Sequence, residues 1–449
     1  MNQTSYSFNY SQDIVHLQTK FSLFKRVSNI IFSVSLDEGF NEDIMRQAIQ
    51  LTVDRNDCLR LSFRKEGNKI IQYFESKRII DDIPSYAFET FAAMDSYIKR
   101  FRRNAVDLFK GKAAEFAYII DPAGKQHLFV KISHYVADTY GIGIITNDLF
   151  AIYNALRNSQ ELPPETGKFE DVLEKDTAYR ANDLAVEKDR QFFKEYYEVK
   201  HPEAPIYCGI HGETNDHWMK LKKKGAISLP YFFVRCDTKG YRFIIPASVT
   251  AKAAKWCEEH GISMNSFFFY TCAIASSIRN GKAKHQLPLE LLNCRATVAD
   301  KKAAGTKVQS LSVYTTVDYD RTFNENITEL SQEQNELYRH TRLSYLEIQE
   351  IEHKLWNYSM LSQITNFCFS FIPMNVPDGM SLQVHSNGKG ALSAYIALIW
   401  DVKTNEICVN YDVQTQMCLP EQLIEFQNVY MHVVETVLAN PDTKLNMIL

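Results

Sequence analysis

Residues 128–143 read LFVKISHYVADTYGIG, and this stretch decides how the rest of the chain is interpreted. A strand pattern runs into His134, Asp138 follows four residues later, and Gly141 and Gly143 open a helical pattern. Imidazole can accept and return a proton near neutral pH without a large pKa shift. A histidine held stiffly at the end of a strand is therefore a candidate base.

The neighbours of this histidine have different orientations. By strand parity, His134 shares a face with the apolar positions 128, 130 and 132, whereas Ser133 faces the other side. Asp138 could orient the imidazole, or it could pair with a cation elsewhere and fix the turn. The alternative without function is a hydrogen-bonded histidine at a strand end, with Asp138 as a helix cap. These residues alone do not decide between the two.

Composition limits the possible classes of protein. The 449 residues exceed one ordinary core and predict two domains of about 200 residues each. A net charge of −4, without a long basic run, argues against nucleic acid as a partner. The one short basic run, Lys220–Lys224, is interpreted as the exposed edge of a hairpin.

Cysteine usage and the apolar runs indicate the compartment. The nine cysteines are scattered without a Cys-x-x-Cys pair, which predicts buried thiols in a reducing environment, with no disulfide and no metal site. The N-terminus shows no secretion signal, and residues 267–278 are too short an apolar stretch to span a membrane. We expect a cytoplasmic protein without a membrane span.

Alternating strand and helix patterns occur in both halves of the chain and predict an α+β fold with mixed sheets. A polar, proline-containing stretch separates the halves. The expected organisation is an N-terminal subdomain over 1–165, a bridging segment over 166–230 and a C-terminal subdomain over 231–449. Within the first half, Cys58–Phe63 alternates as a strand, which places Arg60 on the face opposite its apolar neighbours.

Several stretches, in the correct order, resemble the motifs of nonribosomal-peptide condensation domains. Residues 55–63, RNDCLRLSF, resemble the motif Arg-His-Glu-x-Leu-Arg-Thr-x-Phe, and residues 133–138, SHYVAD, resemble His-His-x-x-x-Asp-Gly. Residues 305–311, GTKVQSL, resemble Gly-x-Phe-Val-Asn-Thr-Leu, and the preceding 293–295, NCR, stand where the family often has Asn-Arg. Residues 367–371 resemble the strand of the last family motif, and 340–345 match another faintly.

This resemblance implies a fold similar to chloramphenicol acetyltransferase, with two subdomains in a V and an active-site tunnel between them. It also implies acyl transfer from a phosphopantetheine thioester, on a carrier protein or CoA, to a small amine or alcohol. His134 matches the catalytic histidine, Asp138 the structural aspartate, and Arg60 the arginine that pairs with this aspartate. No permanently bound cofactor is expected; the thioester is a substrate.

The sequence departs from the family pattern at three positions. Ser133 replaces the first histidine, Thr139 replaces the glycine after the aspartate, and Gln309 replaces an asparagine. The resemblance makes these residues candidates for lining the tunnel, together with Tyr140, Gly141 and Ser310. A carrier protein or adenylation domain does not fit within the 449 residues, so a stand-alone acyltransferase with an external donor is expected.

Two alternatives to this interpretation stay open. Ser133 and Thr139 also fit a catalytically degenerate binding module that docks a carrier protein or a small ligand. The acceptor could equally be a hydroxyl group, in which case the product would be an ester.

Overall fold

A computed structural model describes residues 4–200, 209–210, 229–230, 236–359, 362–365, 367–390, 394–415 and 417–449. The expected exposed run at 220–224 and Cys208 lie outside these residues. The chain divides into two compact units. The first comprises Met1–Asp183, Asn293–Val308 and Met374–Lys389; the second comprises Leu184–Leu292, Gln309–Pro373 and Gly390–Leu449.

The strands, in chain order, are β1 (Asn29–Leu36), β2 (Leu61–Glu66), β3 (Lys69–Phe74), β4 (Ser85–Ala87), β5 (Ala114–Ile120), β6 (Gln126–Ser133), β7 (Leu229–Pro230), β8 (Thr238–Ile245), β9 (His285–Gln286), β10 (Leu289–Asn293), β11 (Val308–Ser312), β12 (Thr315–Thr316), β13 (Ser362–Gln363), β14 (Cys368–Met374), β15 (Met380–His385), β16 (Ala394–Asp401) and β17 (Ile407–Gln414). The helices are α1 (Tyr10–Phe21), α2 (Glu42–Arg55), α3 (Phe91–Phe101), α4 (Thr139–Arg157), α5 (Phe169–Arg180), α6 (Asp183–Glu198), α7 (Ala247–His260), α8 (Met264–Arg279), α9 (Val298–Lys302), α10 (Phe323–Tyr338), α11 (Tyr345–Trp356), α12 (Pro420–Ala439) and α13 (Leu445–Ile448).

The first unit is built on a five-stranded sheet in the order β15-β1-β6-β5-β4. β1, β5, β6 and β15 are antiparallel neighbours, and the short β4 lies parallel to β5. The residues of α4 at helical spacing are apolar and buried with those of α2 and the sheet, as the pattern predicts. Hydrophobic burial between helices and sheet thus fixes β6, the strand that ends at His134.

The second unit contains a six-stranded sheet in the order β11-β10-β14-β16-β17-β8. β10 and β14 are parallel, whereas β16, β17 and β8 are antiparallel neighbours. The apolar helix α8 is buried along most of its length in the core of this unit. A helix that is apolar on all sides is expected to be buried in this way.

Mixed sheets with helices in both units confirm the predicted α+β class. The domain boundaries at 165 and 230 differ from the division of the structure, because the first unit also takes in 293–308 and 374–389. β15 lies in the second of these segments and pairs with β1. Such long-range pairing leaves no trace in local periodicity.

One predicted strand begins too early. Residues Asp57–Arg60 form a 3₁₀ turn, and the strand β2 begins only at Leu61. Arg60 therefore lies outside the strand, and the strand face predicted for its side chain does not apply.

The described ranges show neither a cluster of metal-ligating side chains nor a helix suited to a membrane crossing. No group of three or more His, Cys, Asp or Glu side chains there stands close enough to hold a metal ion. None of the helices in these ranges combines the length and hydropathy that a membrane crossing requires.

Candidate active site

His134 directly follows the last residue of β6, and its backbone is held on both sides. Its peptide N–H donates to the carbonyl of Ser28 at 2.6 Å, and its carbonyl accepts a hydrogen bond from the hydroxyl of Thr306 at 2.6 Å. The side chain is half-buried. Two short backbone bonds thus fix the point from which the imidazole projects.

The His134 ring lies in an environment that favours its neutral form. Among the residues that the structure describes, its buried Nδ1 has no hydrogen-bond partner on another side chain or peptide group. Desolvation lowers the pKa of His134 below its usual value near 6.5, although its own peptide carbonyl and the charge of Asp138 oppose this shift. A neutral imidazole can accept a proton at neutral pH.

Asp138 caps α4 and anchors the turn that follows β6. Its Oδ1 accepts the peptide N–H of Gly141 at 2.7 Å, and its Oδ2 accepts that of Lys307 at 2.8 Å. Arg295 adds a bidentate pair, with Nη1 at 2.9 Å from Oδ2 and Nη2 at 3.1 Å from Oδ1. Both side chains of this ion pair are almost completely buried.

The guanidinium of Arg295 uses its remaining donors on the surrounding chain. It binds the side chain of Asn293 at 3.0 Å and the carbonyls of Ala303 and Gly305. The guanidinium carbon lies 4.9 Å from the centre of the Tyr140 ring, within cation–π range. Since these bonds engage all five N–H donors, Arg295 has a structural role.

The expected ion pair between Arg60 and Asp138 is wrong, because Arg295 occupies that place. Arg60 instead donates to the carbonyls of Val53, Asp54 and Glu75. It lies in the 3₁₀ turn, where strand parity does not direct side chains. Arg295 belongs to the Asn-Cys-Arg stretch that resembles the family pattern, but no local signal connects it with a partner 157 residues away.

Three consecutive residues, Gly305–Lys307, form hydrogen bonds to His134, to Asp138 or to the Arg295 that pairs with Asp138; we call them the 305–307 segment. The Gly305 carbonyl binds Arg295, the Thr306 hydroxyl binds the His134 carbonyl, and the Lys307 amide binds Asp138. A Cβ added to Gly305 would lie 1.8 Å from the ring of Phe169. The packing of this segment against Phe169 therefore depends on glycine.

The first turn of α1 supports the same region and has no predicted role. Asn9 donates to the carbonyl of Thr306 at 2.9 Å, and Ser11 donates to that of Val308 at 2.6 Å. Gln12 donates to the carbonyl of Tyr135 at 2.8 Å. Long-range side-chain bonds of this kind have no sequence signature.

The predicted residues near His134 are placed as follows. Ser133 is buried, and its hydroxyl accepts the amide of Tyr135 at 3.4 Å, so it supports the turn. Thr139 and Tyr140 lie half-buried in the first turn of α4. Gly141 approaches the 303–305 backbone so closely that an added Cβ would lie 1.8 Å from the carbonyl oxygen of Ala304.

Gln309 and Ser310 belong to the second unit, and both are buried. The Gln309 amide nitrogen donates to the carbonyls of Thr341 and Leu343, and its oxygen accepts the amide of Ser310. These bonds engage both donors of the side chain. Gln309 therefore holds the backbone at 341–343, and its place in the lining of a tunnel stays a prediction.

The comparisons with known proteins agree on one family. The family model of the condensation domain matches residues 2–449. Among curated proteins, a plipastatin synthase of Bacillus subtilis (strain 168) is 22% identical over 98% of this chain, and Surfactin synthase subunit 1 of the same organism is 20% identical over 98%. The chain spans only 17% and 12% of their lengths.

Solved structures share the fold at low identity. The starter condensation domain of rhizomide synthetase RzmA, a variant in complex with C8-CoA, superposes with a TM-score of 0.81 at 15% identity, covering 99% of this chain and 97% of the other. The first condensation domain of the calcium-dependent antibiotic synthetase, bound to a substrate analogue, gives 0.78 at 14% identity and covers 99% of both chains.

The chain belongs to the condensation-domain family. The predicted family and the predicted fold class are thereby confirmed. Members of this family are in general acyltransferases.

Proposed function

We propose that this chain moves an acyl group from a phosphopantetheine thioester to an amine or a hydroxyl group, with His134 as the base or the positioning group. The observation that carries the proposal is His134 itself, half-buried at the end of β6 and with its pKa lowered by desolvation. Family membership supports the reaction type. The complexes of the RzmA starter domain with C8-CoA, and with C8-CoA plus Leu-SNAC, support a thioester donor.

In the proposed step, the two substrates and the imidazole account for every bond that forms or breaks and for the proton that moves. A new C–N or C–O bond forms as the acceptor attacks the thioester carbonyl, and the C–S bond breaks. Neutral His134 takes the proton that the acceptor loses and returns it to the departing thiolate. If an amine arrives unprotonated, His134 acts mainly by positioning it.

We include in the same proposal the molecule that carries the acyl group to the chain, which is either CoA or a carrier protein. CoA and a carrier protein present the same phosphopantetheine arm, and both fit an external donor. The V-shaped arrangement with a tunnel, and the role of Thr139 and Tyr140 in lining it, remain predictions. Thr139 lies where the family has glycine, so its side chain is expected to affect passage of the arm.

A direct test uses C8-CoA and short acyl thioesters as donors, with pooled amines and alcohols as acceptors, and product detection by mass spectrometry. Replacing His134 with alanine is expected to slow product formation by about a hundred- to ten-thousand-fold. His127→Ala is the matched control, because His127 lies in the same strand and pairs with Asp121 at 3.1 Å. Equal product from wild type and His134→Ala would remove the role assigned to His134.

A second candidate function is a binding module that docks a carrier or a ligand without turnover. The observations that favour it are Ser133 and Thr139, which replace a histidine and a glycine of the family motif. Saturable binding of C8-CoA without product from any acceptor would support this candidate. Ester or amide product would exclude it and would also identify the acceptor class.

A further inference from the structure

We propose that the C-terminal end of α11, in the second unit, carries a pH-sensitive latch. The buried carboxyl group of Glu352 holds Tyr358 against the helix while it is protonated, and it releases residues 357–359 when it ionises. We call these three residues the latch segment. The proposal involves neither His134 nor acyl transfer, so it goes beyond the proposed function.

The latch segment folds back onto the last turn of α11. Asn357 ends the helix with a φ of 51°, in the left-handed region, which lets the chain turn back. The hydroxyl of Tyr358 donates to Oε2 of Glu352 at 3.2 Å, and the carbonyl of Tyr358 accepts Nδ1–H of His353 at 3.0 Å. The rings of Tyr358 and His353 are stacked, with their centres 3.7 Å apart. Two consecutive helix residues therefore hold Tyr358.

The carboxyl group of Glu352 is almost completely buried, and the groups that surround it are neutral. Within the described ranges, its second oxygen, Oε1, meets no partner in hydrogen-bond geometry. Tyr197 of α6 and Ser312 of β11 also face the carboxyl group, but the Tyr197 hydroxyl donates to the Ser312 carbonyl at 2.8 Å. A buried carboxylate needs a counter-charge or a full set of donors. The geometry therefore favours the protonated, neutral form of Glu352.

The titratable groups packed around Glu352 do not supply a counter-charge. The ammonium of Lys200, which follows α6, lies 3.0 Å from the carboxylate of Glu333 on α10. Burial raises the pKa of the two tyrosines 196–197 well above 10, so both are neutral near pH 7. Desolvation lowers the pKa of His353, which keeps this ring neutral as well. Among these groups, Glu352 is therefore the one expected to change its charge near neutral pH.

The direction of the pH response follows from the two states of the latch segment. Desolvation raises the pKa of Glu352 to about 7 in the closed state, whereas in an open state the carboxyl group meets water and returns toward its usual value of 4.5. The closed state binds the proton more tightly, so closure is favoured below pH 4.5 and weakens as the pH rises through about 7. Between pH 6 and pH 8, these two pKa values predict an increase of about tenfold in the opening equilibrium constant.

The test is hydrogen exchange of the amides of residues 353–359, measured by mass spectrometry on the full chain and expressed as protection factors at pH 6 and pH 8. All samples carry Glu290→Gln, which removes the pH dependence expected from that acid. With Glu352 in place, we expect protection to fall about tenfold, whereas Glu352→Gln keeps the shape, cannot ionise and should show level protection. Glu350→Gln is the matched control, because Glu350 is exposed on the same helix and pairs with Lys354 at 2.6 Å. This control should keep the tenfold fall.

Two results would overturn the proposal: level protection between pH 6 and pH 8 with Glu352 in place, or the same fall in Glu352→Gln. If the glutamine variant does not fold, Glu352→Leu takes its place, since it also removes the charge and fills the site with an apolar group. Exchange is measured without any substrate, so an absence of acyl transfer would count against the proposed function alone.

Discussion

Asp138 in the first unit and Glu290 in the second are both buried carboxyl groups, but their partners differ in charge. Asp138 is bound by the guanidinium of Arg295 and by two peptide amides. Glu290, on β10, accepts hydrogen bonds from Asn265, Gln334 and Tyr338, which are all neutral.

Because their partners differ, the two buried carboxyl groups are expected to differ in protonation: one is held as an ion and the other titrates near neutral pH. Desolvation raises the pKa of Glu290 to about 7, and its neutral donors offset only part of this shift. A counter-charge allows a carboxylate to hold a turn as an ion, whereas neutral donors leave an acid that titrates near physiological pH. The region around His134 is built with the first arrangement, which suits a site that must keep its geometry.

The largest expected effect comes from removing the charge of Asp138. Asp138→Asn leaves the buried guanidinium of Arg295 without a counter-ion, and we expect a loss of about 3–5 kcal/mol in the free energy of unfolding. Chemical denaturation measures this loss. In the double variant Asp138→Asn/Arg295→Met, the two losses should be strongly non-additive.

An exposed ion pair gives the control. Arg64 lies 2.9 Å from Glu66, and the two side chains are 40% and 53% exposed. Arg64→Ala should therefore change stability by less than about 1 kcal/mol. If Asp138→Asn cost no more than Arg64→Ala, the Asp138–Arg295 pair would not be the anchor described above.

The next largest effect is a pH dependence carried by Glu290. Its pKa in the folded state, about 7, lies above the usual value of 4.5, so the folded chain binds the proton more tightly than the unfolded chain. This contribution to stability is present below pH 4.5 and is lost as the pH rises through about 7. Glu290→Gln cannot ionise, so its stability relative to wild type should rise between about pH 5 and pH 8, by at most about 3 kcal/mol.

The exposed Glu435 provides the matched control, and Glu435→Gln should show a flat difference over the same range. A flat difference for Glu290→Gln as well would mean that Glu290 titrates normally. The contrast between an ionised Asp138 and a Glu290 with a raised pKa would then be wrong for Glu290.

A smaller loss of stability is expected when the close contact between the backbone at Gly141 and that at Ala304 is disturbed. An alanine at Gly141 would bring Cβ to within 1.8 Å of the Ala304 carbonyl oxygen, and backbone on both sides resists displacement. We expect a loss of about 2 kcal/mol, measured by denaturation. At Gly143, in the same helix, an added Cβ would meet only the flexible end of Met374 at 3.3 Å. Gly143→Ala should therefore stay within about 0.5 kcal/mol of wild type, and equal losses at the two positions would contradict the packing described here.

Local patterns predict the parts of the site that depend on neighbouring residues. The strand ending at Ser133 and the helix after Asp138 both appear in the structure. Asp138 caps this helix, as the alternative without function had it, and it also pairs with a cation. The family resemblance supplies the fold class, which the solved structures confirm.

The predictions that are wrong depend on long-range pairing or on a local conformation that alternation does not reveal. The family resemblance assigns Arg60 to a pair with Asp138, and the alternating pattern places Arg60 in a strand, but residues 57–60 form a 3₁₀ turn. Arg295 and Thr306 lie within stretches that resemble family motifs, yet their partners lie 157 and 172 residues away. No periodicity in the sequence reports such contacts, and they emerge only when the chain is folded.

The most direct test of the account is the pH dependence of single-turnover acyl transfer in wild type and in His134→Ala. A neutral imidazole as base requires the wild-type rate to rise with pH through a midpoint below 6.5, because desolvation lowers the pKa of His134. His134→Ala should lose this acid limb and react about a hundred- to ten-thousand-fold more slowly. An alanine variant that keeps both the rate and the acid limb would contradict the role of His134.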